Sequence, residues 1–575
     1  MRHPLPALLP VQMPQKKSPN QQLQQLQDAI ALHQQGKLAQ AGAIYASILE
    51  SEPNHPDCLN LLGILAAHAK NYPLALALIE RAIAAFPGDE SFHSNRGNVL
   101  RELGSIEAAV ESYDKAIAIK PDYAEAYYNR GIALQDLGRH EAAVASYDRA
   151  LALDGAYAQA YYNRGNALQV LGQPGAAIAS YDQALALVPT DADAYCNRGN
   201  ALTSAGQLDA ALADYHKALS IKPDCAETHY NRGIALKRGA RIDAAIASFT
   251  EAIRLRPDYA DAQWNKSLAL LLAGELEQGW ELYESRWQTA AFVAPRRDFA
   301  QPAWRGDQSL HGKTILLHHD QGLGDAIQFC RYATMVENLG ARVILEVARS
   351  LVGLLGTVNG VAQVVAAGDP LPDFDYHCTL LSLPLAFRTQ LSTVPAAQAY
   401  LRSDADKVSQ WQARLGDAAR PRVGLVASGN PQHSNDLQRS IPLADLLREL
   451  PQGFEYVLLQ KELRDADHAV LASHPAVRYF GASLADFSDT AALCELMDVV
   501  ISVDTSVAHL AAALGKDTWI LLPQVPDWRW LLDRADSVWY PSVRLYRQTS
   551  AGNWAEVLSK AGEDLGVQIN VSERQ

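Results

Sequence analysis

Three stretches carry residues whose types and spacing could do chemistry. In ISVDTSVAHLAAALGK, Ile501–Lys516, an apolar strand-like run ends at Val503 and yields to Asp504, Thr505 and Ser506 at the mouth of an Ala- and Leu-rich helix. The first N–H groups of such a helix have no partner within it, and with the helix dipole they suit a diphosphate. Asp504 would repel phosphate, so its carboxylate is read as an acceptor for sugar hydroxyls, with helix capping as the competing reading. His509 lies one turn beyond Thr505 on the same side; a satisfied core histidine is the alternative. In LLHHDQGLGDAIQF, Leu316–Phe329, a strand runs into His318, His319, Asp320 and Gln321, then Gly322, Gly324 and Asp325. The two glycines let backbone approach a ligand closely, and Asp325 stands at a helix start, either facing that ligand or as a plain cap. In GLVASGNPQHSNDLQRSIPL, Gly424–Leu443, the polar loop Ser428, Gly429 and Asn430 leads to Arg439. That arginine is read as a bidentate partner for phosphate oxygens, or as a solvated loop residue.

These motifs need elements to position them. Strand patterns fall at 314–318, 342–347, 362–366 and 374–378, and again at 421–427, 455–459, 498–503 and 518–522, with helix patterns between, one of them over 325–339. Strands alternating with helices predict parallel sheets, in which ligands sit beyond the carboxyl ends of the strands. Two Rossmann-like domains follow, over 293–410 with the linker and over 411–575. Trp528 and Trp530 are read as packing residues. Asp404-Ala405-Asp406 and Asp465-Ala466-Asp467 resemble acidic metal pairs but fall in polar helical segments; they are read as solvated faces, and no metal site is expected.

The preceding half is periodic. Asn-Arg-Gly begins at Asn95, Asn129, Asn163, Asn197 and Asn231, and Asn265 keeps the register. A leucine follows five residues after each Asn, and an aromatic thirteen after that, from Tyr113 to Tyr283. This is the 34-residue signature of tetratricopeptide repeats. About eight units over residues 22–292 are expected to stack as an all-α solenoid, after a disordered tail at 1–21. Gly131 would let two helices approach, and Tyr147 would fill the gap. The recurring asparagines have two readings: a ladder of amides for a peptide backbone, or a hydrogen bond between repeats copied by duplication.

Composition bounds the rest. At 575 residues the chain needs several cores. A formal net charge of −14 argues against a nucleic-acid binder. None of the six cysteines has metal-ligand spacing, which suits a reducing compartment. With no membrane-spanning run and no signal-peptide order at the start, the expected location is cytoplasmic.

The chain from about Gln22 resembles bacterial tetratricopeptide-repeat proteins with a C-terminal GT-B glycosyltransferase module. That module is similar to the ADP-heptose:lipopolysaccharide heptosyltransferase family, through Gly324-Asp325 and Val503–Leu510. The resemblance implies a nucleotide-sugar co-substrate, no cofactor, Asp325 as base, and a grip on the donor by Asp504, Thr505, Ser506 and His509. Ser506 stands where that family usually has glycine, so donor identity does not carry over. The layout also resembles O-GlcNAc transferase, whose asparagine ladder holds polypeptides; Asn95, Asn129, Asn163, Asn197, Asn231 and Asn265 match it. Together these predict a metal-independent inverting glycosyltransferase. Asp325, or else His318, His319 or His509, would take the proton, and Gly322, Gly324, Ser428, Gly429, Asn430 and Arg439 would line the donor. The acceptor would be a hydroxyl, on a protein partner held in the repeat groove. The rival reading is a partner-binding scaffold whose second half does not catalyse.

Overall fold

The repeating Gly and aromatic positions show why the first half is helical and tightly layered. In the helix pair Ala124–Asp136 and His140–Leu153, Tyr147 is fully buried. A Cβ added at Gly131 would stand 2.5 Å from its ring. The same fit recurs at Gly97 with Tyr113, Gly165 with Tyr181, Gly199 with Tyr215 and Gly233 with Phe249. Only glycine admits the ring, and burying each aromatic contributes about 1.5–3 kcal/mol. The computed structural model describes residues 19–289, 292, 297–433 and 435–572, with Pro19 and the last five by backbone alone. The stretch read as a tail lies outside these residues up to position 18; the first helix begins at Pro19.

The described residues form two compact units, divided between Pro223 and Asp224. The first holds twelve helices, from Pro19–Gln34 to Leu208–Ile221, in six pairs. Its buried layer is small residues around one large side chain per pair, a ring in five of them, as with Ala143, Tyr147 and Ala150, and Ile79 in the pair Pro56–His68 with Tyr72–Ala85. The arginine of each Asn-Arg-Gly is consumed locally. Arg96 bonds Glu80 and Ser112, Arg164 bonds Asp148 and Ser180, and Arg198 bonds Asp182 and Asp214. Each partner lies sixteen residues away in either direction, so the motif's charge serves the stack.

The second unit opens with two further pairs, Ala226–Arg238 with Ile242–Leu255 and Ala260–Ala273 with Leu276–Tyr283, and the 3-10 turn Glu284–Gln288. Two sheets follow. The first holds β1 (Thr314–His318), β2 (Arg342–Val347), β3 (Gln363–Ala366) and β4 (Tyr376–Thr379), in the order β3-β2-β1-β4. The second holds β5 (Arg422–Val426), β6 (Glu455–Leu458), β7 (Arg478–Tyr479), β8 (Val499–Val503), β9 (Asp517–Leu522) and β10 (Val543–Arg547). Its order is β10-β9-β8-β5-β6-β7. Every pairing within the two sheets is parallel. Read from its β7 edge, the second sheet has the doubly wound order 3-2-1-4-5-6, with its switch point between β5 and β8. Both of those strands are buried along their whole length, as parallel strands covered on two faces must be. Val423, Leu425, Ile501, Val503, Trp519 and Leu521 build the core of that sheet with the C-terminal helix Ala555–Ser572.

The expected strands are present within two residues at each end, while β7 and β10 carried too little pattern to be read. The single helix expected over 325–339 is instead Leu323–Phe329, a 3-10 turn Cys330–Tyr332, and Ala333–Glu337. The acidic pairs need one correction. Asp404 caps the helix Ala405–Leu415, but Asp467 is buried and accepts from the Leu443 N–H, so it is no solvated residue.

Candidate functional site

The exits of β1, β5 and β8, the strands at the switch points of the two sheets, open on one cleft of about 860 Å³ within the second unit. Gly322, Gly324 and Asp325 line it from β1, Ser428, Gly429, Asn430 and Arg439 from β5, and Asp504, Thr505, Ser506 and His509 from β8. Residues read at positions nearly 190 apart are thus neighbours. The two helix starts touch: a Cβ on Gly324 would lie 3.0 Å from the His509 ring and 3.5 Å from Ser506 Cα. Glycine is needed there for close approach, not for an unusual φ.

The competing capping readings resolve residue by residue. Thr505, and not Asp504, caps the helix Ser506–Ala513, its Oγ1 accepting from the Ala508 N–H. Asp504 is therefore left to face the cleft. Burial and the nearby Asp527 push its carboxyl up to about 6, against Arg529 and Arg439. Asp325 is the third residue of its helix, and Oδ2 accepts from the Gly322 N–H at 2.8 Å. Its Oδ1 accepts from Arg529. Burial nevertheless raises its carboxyl above the ordinary value. A helix N-terminus lowers a carboxylate's pKa; here desolvation wins, which favours a base.

His509 is buried. Its ring stacks on Trp530 at 5.3 Å and 17°, Nδ1 lies 2.9 Å from the Tyr540 hydroxyl, and Nε2 is 3.7 Å from Asp504 Oδ1. Burial, with Arg529, Arg331 and Arg439 near, holds its pKa well below the usual value, so the imidazole is neutral at pH 7. Arg439 lies across Gly429, where a Cβ would meet its guanidinium at 2.6 Å. It donates to the Asp504 carbonyl oxygen at 2.9 Å, and its buried Nε has no partner. His318 and His319 do not line the cleft. His318 faces His377 and Phe299 instead, and burial lowers it to about 3.

Sequence reasoning missed Arg529. It bonds Asp325, Asp527 and Gln328 and stacks on Trp528, with its centre 4.2 Å from the ring. The one signal was a lone arginine between two tryptophans. Trp528 and Trp530 are buried packing residues as expected, and Trp530 also stacks on the site imidazole. Among the described residues, no group of three or more His, Cys, Asp or Glu is arranged to hold a metal ion.

The repeat asparagines are half-buried, and most bond the preceding repeat. Asn95 Nδ2 donates to Asn60 Oδ1, Asn163 to the Tyr128 hydroxyl, Asn197 to the Tyr162 hydroxyl and Asn265 to the Tyr230 hydroxyl. Each spans 35 residues. Asn129 and Asn231 hold the same helix position in their own repeats. The Oδ1 atoms of Asn163 and Asn197 accept no hydrogen bond among the described residues and are not among the buried unpartnered atoms, so these two amides offer acceptors outward. Asn265 Oδ1 accepts from Lys237 at 2.8 Å.

Comparison with known proteins bears on the repeats. A TPR repeat family model matches residues 97–138, 133–172, 170–202 and 199–238, and a tetratricopeptide repeat model matches 26–90 and 230–290. Protein FlbA of Caulobacter vibrioides is 28% identical over 320 residues, 51% of this chain and 53% of that protein. The chain thus spans about half the length of the curated relative it matches. Among solved structures, YrrB, a TPR protein with an unusual peptide-binding site, is 27% identical over 33% of this chain and 98% of its own, with a TM-score of 0.31. The MamA protein is 29% identical over 30% of this chain and 93% of its own, with a TM-score of 0.28. No described helix is long and apolar enough to cross a membrane. By its repeat period, its helix pairs and its family matches, the chain is a tetratricopeptide-repeat protein with an N-terminal TPR solenoid.

Proposed function

We propose that the second unit is a GT-B glycosyltransferase that moves a sugar from a nucleotide-sugar donor to a hydroxyl acceptor with inversion and without a metal, and that the repeats recruit a protein or peptide partner. The observation that carries this reading is the convergence of two parallel-sheet switch points on one cleft holding Asp325, His509, Asp504 and Arg439. The donor diphosphate would lie at the N–H groups of Ser506 and Val507 and at the loop Ser428-Gly429. The unpartnered Nε of Arg439 leaves a donor for a phosphate oxygen. Fixed donors of this kind neutralise a leaving group as its charge develops. Asp504 would accept from sugar hydroxyls, and neutral His509 would orient that end of the donor.

Asp325 would take the proton of the attacking hydroxyl. Its raised pKa suits a base, although Arg529 and the Gly322 N–H now hold its two oxygens. An entering diphosphate would draw Arg529 toward it and release Oδ1. The test is incubation of the full chain with a panel of nucleotide sugars, reading UDP, GDP or ADP release by mass spectrometry. Release with at least one donor, lost in Asp325→Ala, is expected. No release from any donor, with or without cell lysate as acceptor, would overturn the enzyme reading and leave a partner-binding scaffold.

A further inference from the structure

The last repeat ends in an arginine that, besides pairing with Glu284 in its own turn, reaches residues 34, 93 and 96 positions further along the chain. Arg286, in the turn Glu284–Gln288, is fully buried. Its Nη2 and Nε donate to Asp320 Oδ2 at 2.9 and 3.2 Å. The same Nη2 donates to Thr379 Oγ1 at 3.0 Å and to Ser382 Oγ at 2.9 Å. Tyr283 and Trp287 flank the guanidinium, with its centre 5.0 and 4.5 Å from their rings. Asp320 leaves β1, Thr379 ends β4, and these are the two strands at the switch point of the first sheet. A side chain from the last repeat therefore ties the β1 exit, which lines the cleft, to the β4 exit beside it.

A second tie runs parallel to it. Gln321 Nε2 donates to the Tyr283 hydroxyl at 3.3 Å. The next residue is Gly322, whose N–H bonds Asp325. On the facing wall, Trp528 packs edge-to-face on Trp280 at 5.1 Å, and Arg529 beside it bonds Asp325. The final helix of the repeats thus grips the residues on both sides of the Asp325–Arg529 pair. Planar, forked donors fix geometry that a point charge cannot. A misplacement of about 1 Å at a reacting group can cost on the order of 100-fold in rate.

We propose that Arg286 is a positioning residue for the cleft: through Asp320 it holds the turn Gln321–Asp325 in the place from which Asp325 acts. The last repeat is then part of the catalytic unit and not an appended module. The role of Asp325 rests on the function proposed above; the anchoring of the turn does not.

The experiment uses the full chain with Arg286→Lys, which keeps the charge and loses the fork, and Asp320→Asn, which keeps the shape and loses the charge. Thr379→Val removes two hydrogen bonds, the one from Arg286 and the one to Ser382, leaves the Arg286–Asp320 pair in place, and serves as the variant that spares the fold. Amide hydrogen exchange over residues 319–326 is expected to quicken by about tenfold or more in the first two variants and by less in the third, with the sheet core unchanged. Turnover of the donor identified by the panel is expected to fall about 10- to 100-fold in kcat, with donor KM within about threefold. The double variant should resemble the worse single one, because both act through one contact. Wild-type exchange over 319–326 in the folded variants would overturn the proposal, as would a loosened turn with unchanged kcat or strictly additive losses. If the wild-type protein turns over no donor, the enzyme reading fails alone, and hydrogen exchange decides the role of Arg286.

Discussion

The repeats and the cleft spend polar side chains in opposite ways. In the repeats, the recurring arginines and most of the asparagines find a partner at a fixed distance along the chain, such as Arg198 with Asp182 and Asp214, or Asn197 with Tyr162. In the cleft, buried polar atoms are left wanting. Arg439 Nε has no partner, Asp504 and His509 stand 3.7 Å apart, and burial pushes the Asp504 carboxyl up to about 6. Satisfied polar groups specify a stack; unsatisfied ones in a concave site are held ready for a ligand. Substitutions should therefore cost stability in the repeats and activity in the cleft.

The largest effect that would break this comparison belongs to Asp325. Asp325→Ala should lower donor turnover by about 10²- to 10⁴-fold, the usual worth of a general base. Steady-state release of nucleoside diphosphate measures it, and turnover within a few-fold of wild type would remove Asp325 from the chemistry. The matching change in the repeats is Gly165→Ala. Its Cβ would lie 2.6 Å from the Tyr181 ring. Overpacking of that kind costs about 1–3 kcal/mol, to be read as a lower denaturation midpoint, with donor turnover by the folded protein unchanged.

Asp504 sharpens the contrast through pH. A carboxyl whose folded pKa is raised from 3.8 to about 6 binds its proton more tightly in the folded state. Stability is then lost as pH rises through the window between those values, and the full penalty stands above it. Asp504→Asn removes the penalty. The variant should melt above wild type at pH 7.5, with the gap closing at pH 4.5, while donor turnover falls. A variant less stable than wild type at pH 7.5 would show that Asp504 holds the fold.

How much of this was legible in the sequence follows the same divide. Period carries information, so the 34-residue repeat announced its helices, and Gly131 with Tyr147 announced the packing. Strand ends announced the cleft loops, because β1, β5 and β8 are apolar runs stopped by polar residues. What stayed hidden is what the fold brings in from a distance without a pattern. Arg529 reaches Asp325 from 204 positions away, and Arg286 reaches Asp320 from a segment that reads as more repeat. Tyr540, bonded to His509, sits in a stretch with no motif. The two readings of Asp504 could not be separated either, since which of two adjacent residues caps a helix depends on where the strand ends.

The smallest effect concerns the ladder. Asn197→Ala removes the bonds from Nδ2 to the Tyr162 hydroxyl at 2.9 Å and to Asn166 Oδ1 at 3.0 Å. If the asparagines serve the stack alone, each should contribute about 0.5–1.5 kcal/mol. Asn163 and Asn197 share no partner, so Asn163→Ala and Asn197→Ala should add. Donor hydrolysis should stay within about twofold of wild type, since neither touches the substrate or base. The outward Oδ1 atoms separate the two roles that one amide can hold. Asn163→Asp and Asn197→Asp keep an outward acceptor and lose the donor, and alanine loses both. A groove that binds extended peptide N–H groups should therefore bind partner better with Asp than with Ala, at comparable loss of stability. Equal partner binding by the two series would assign the ladder to the stack alone.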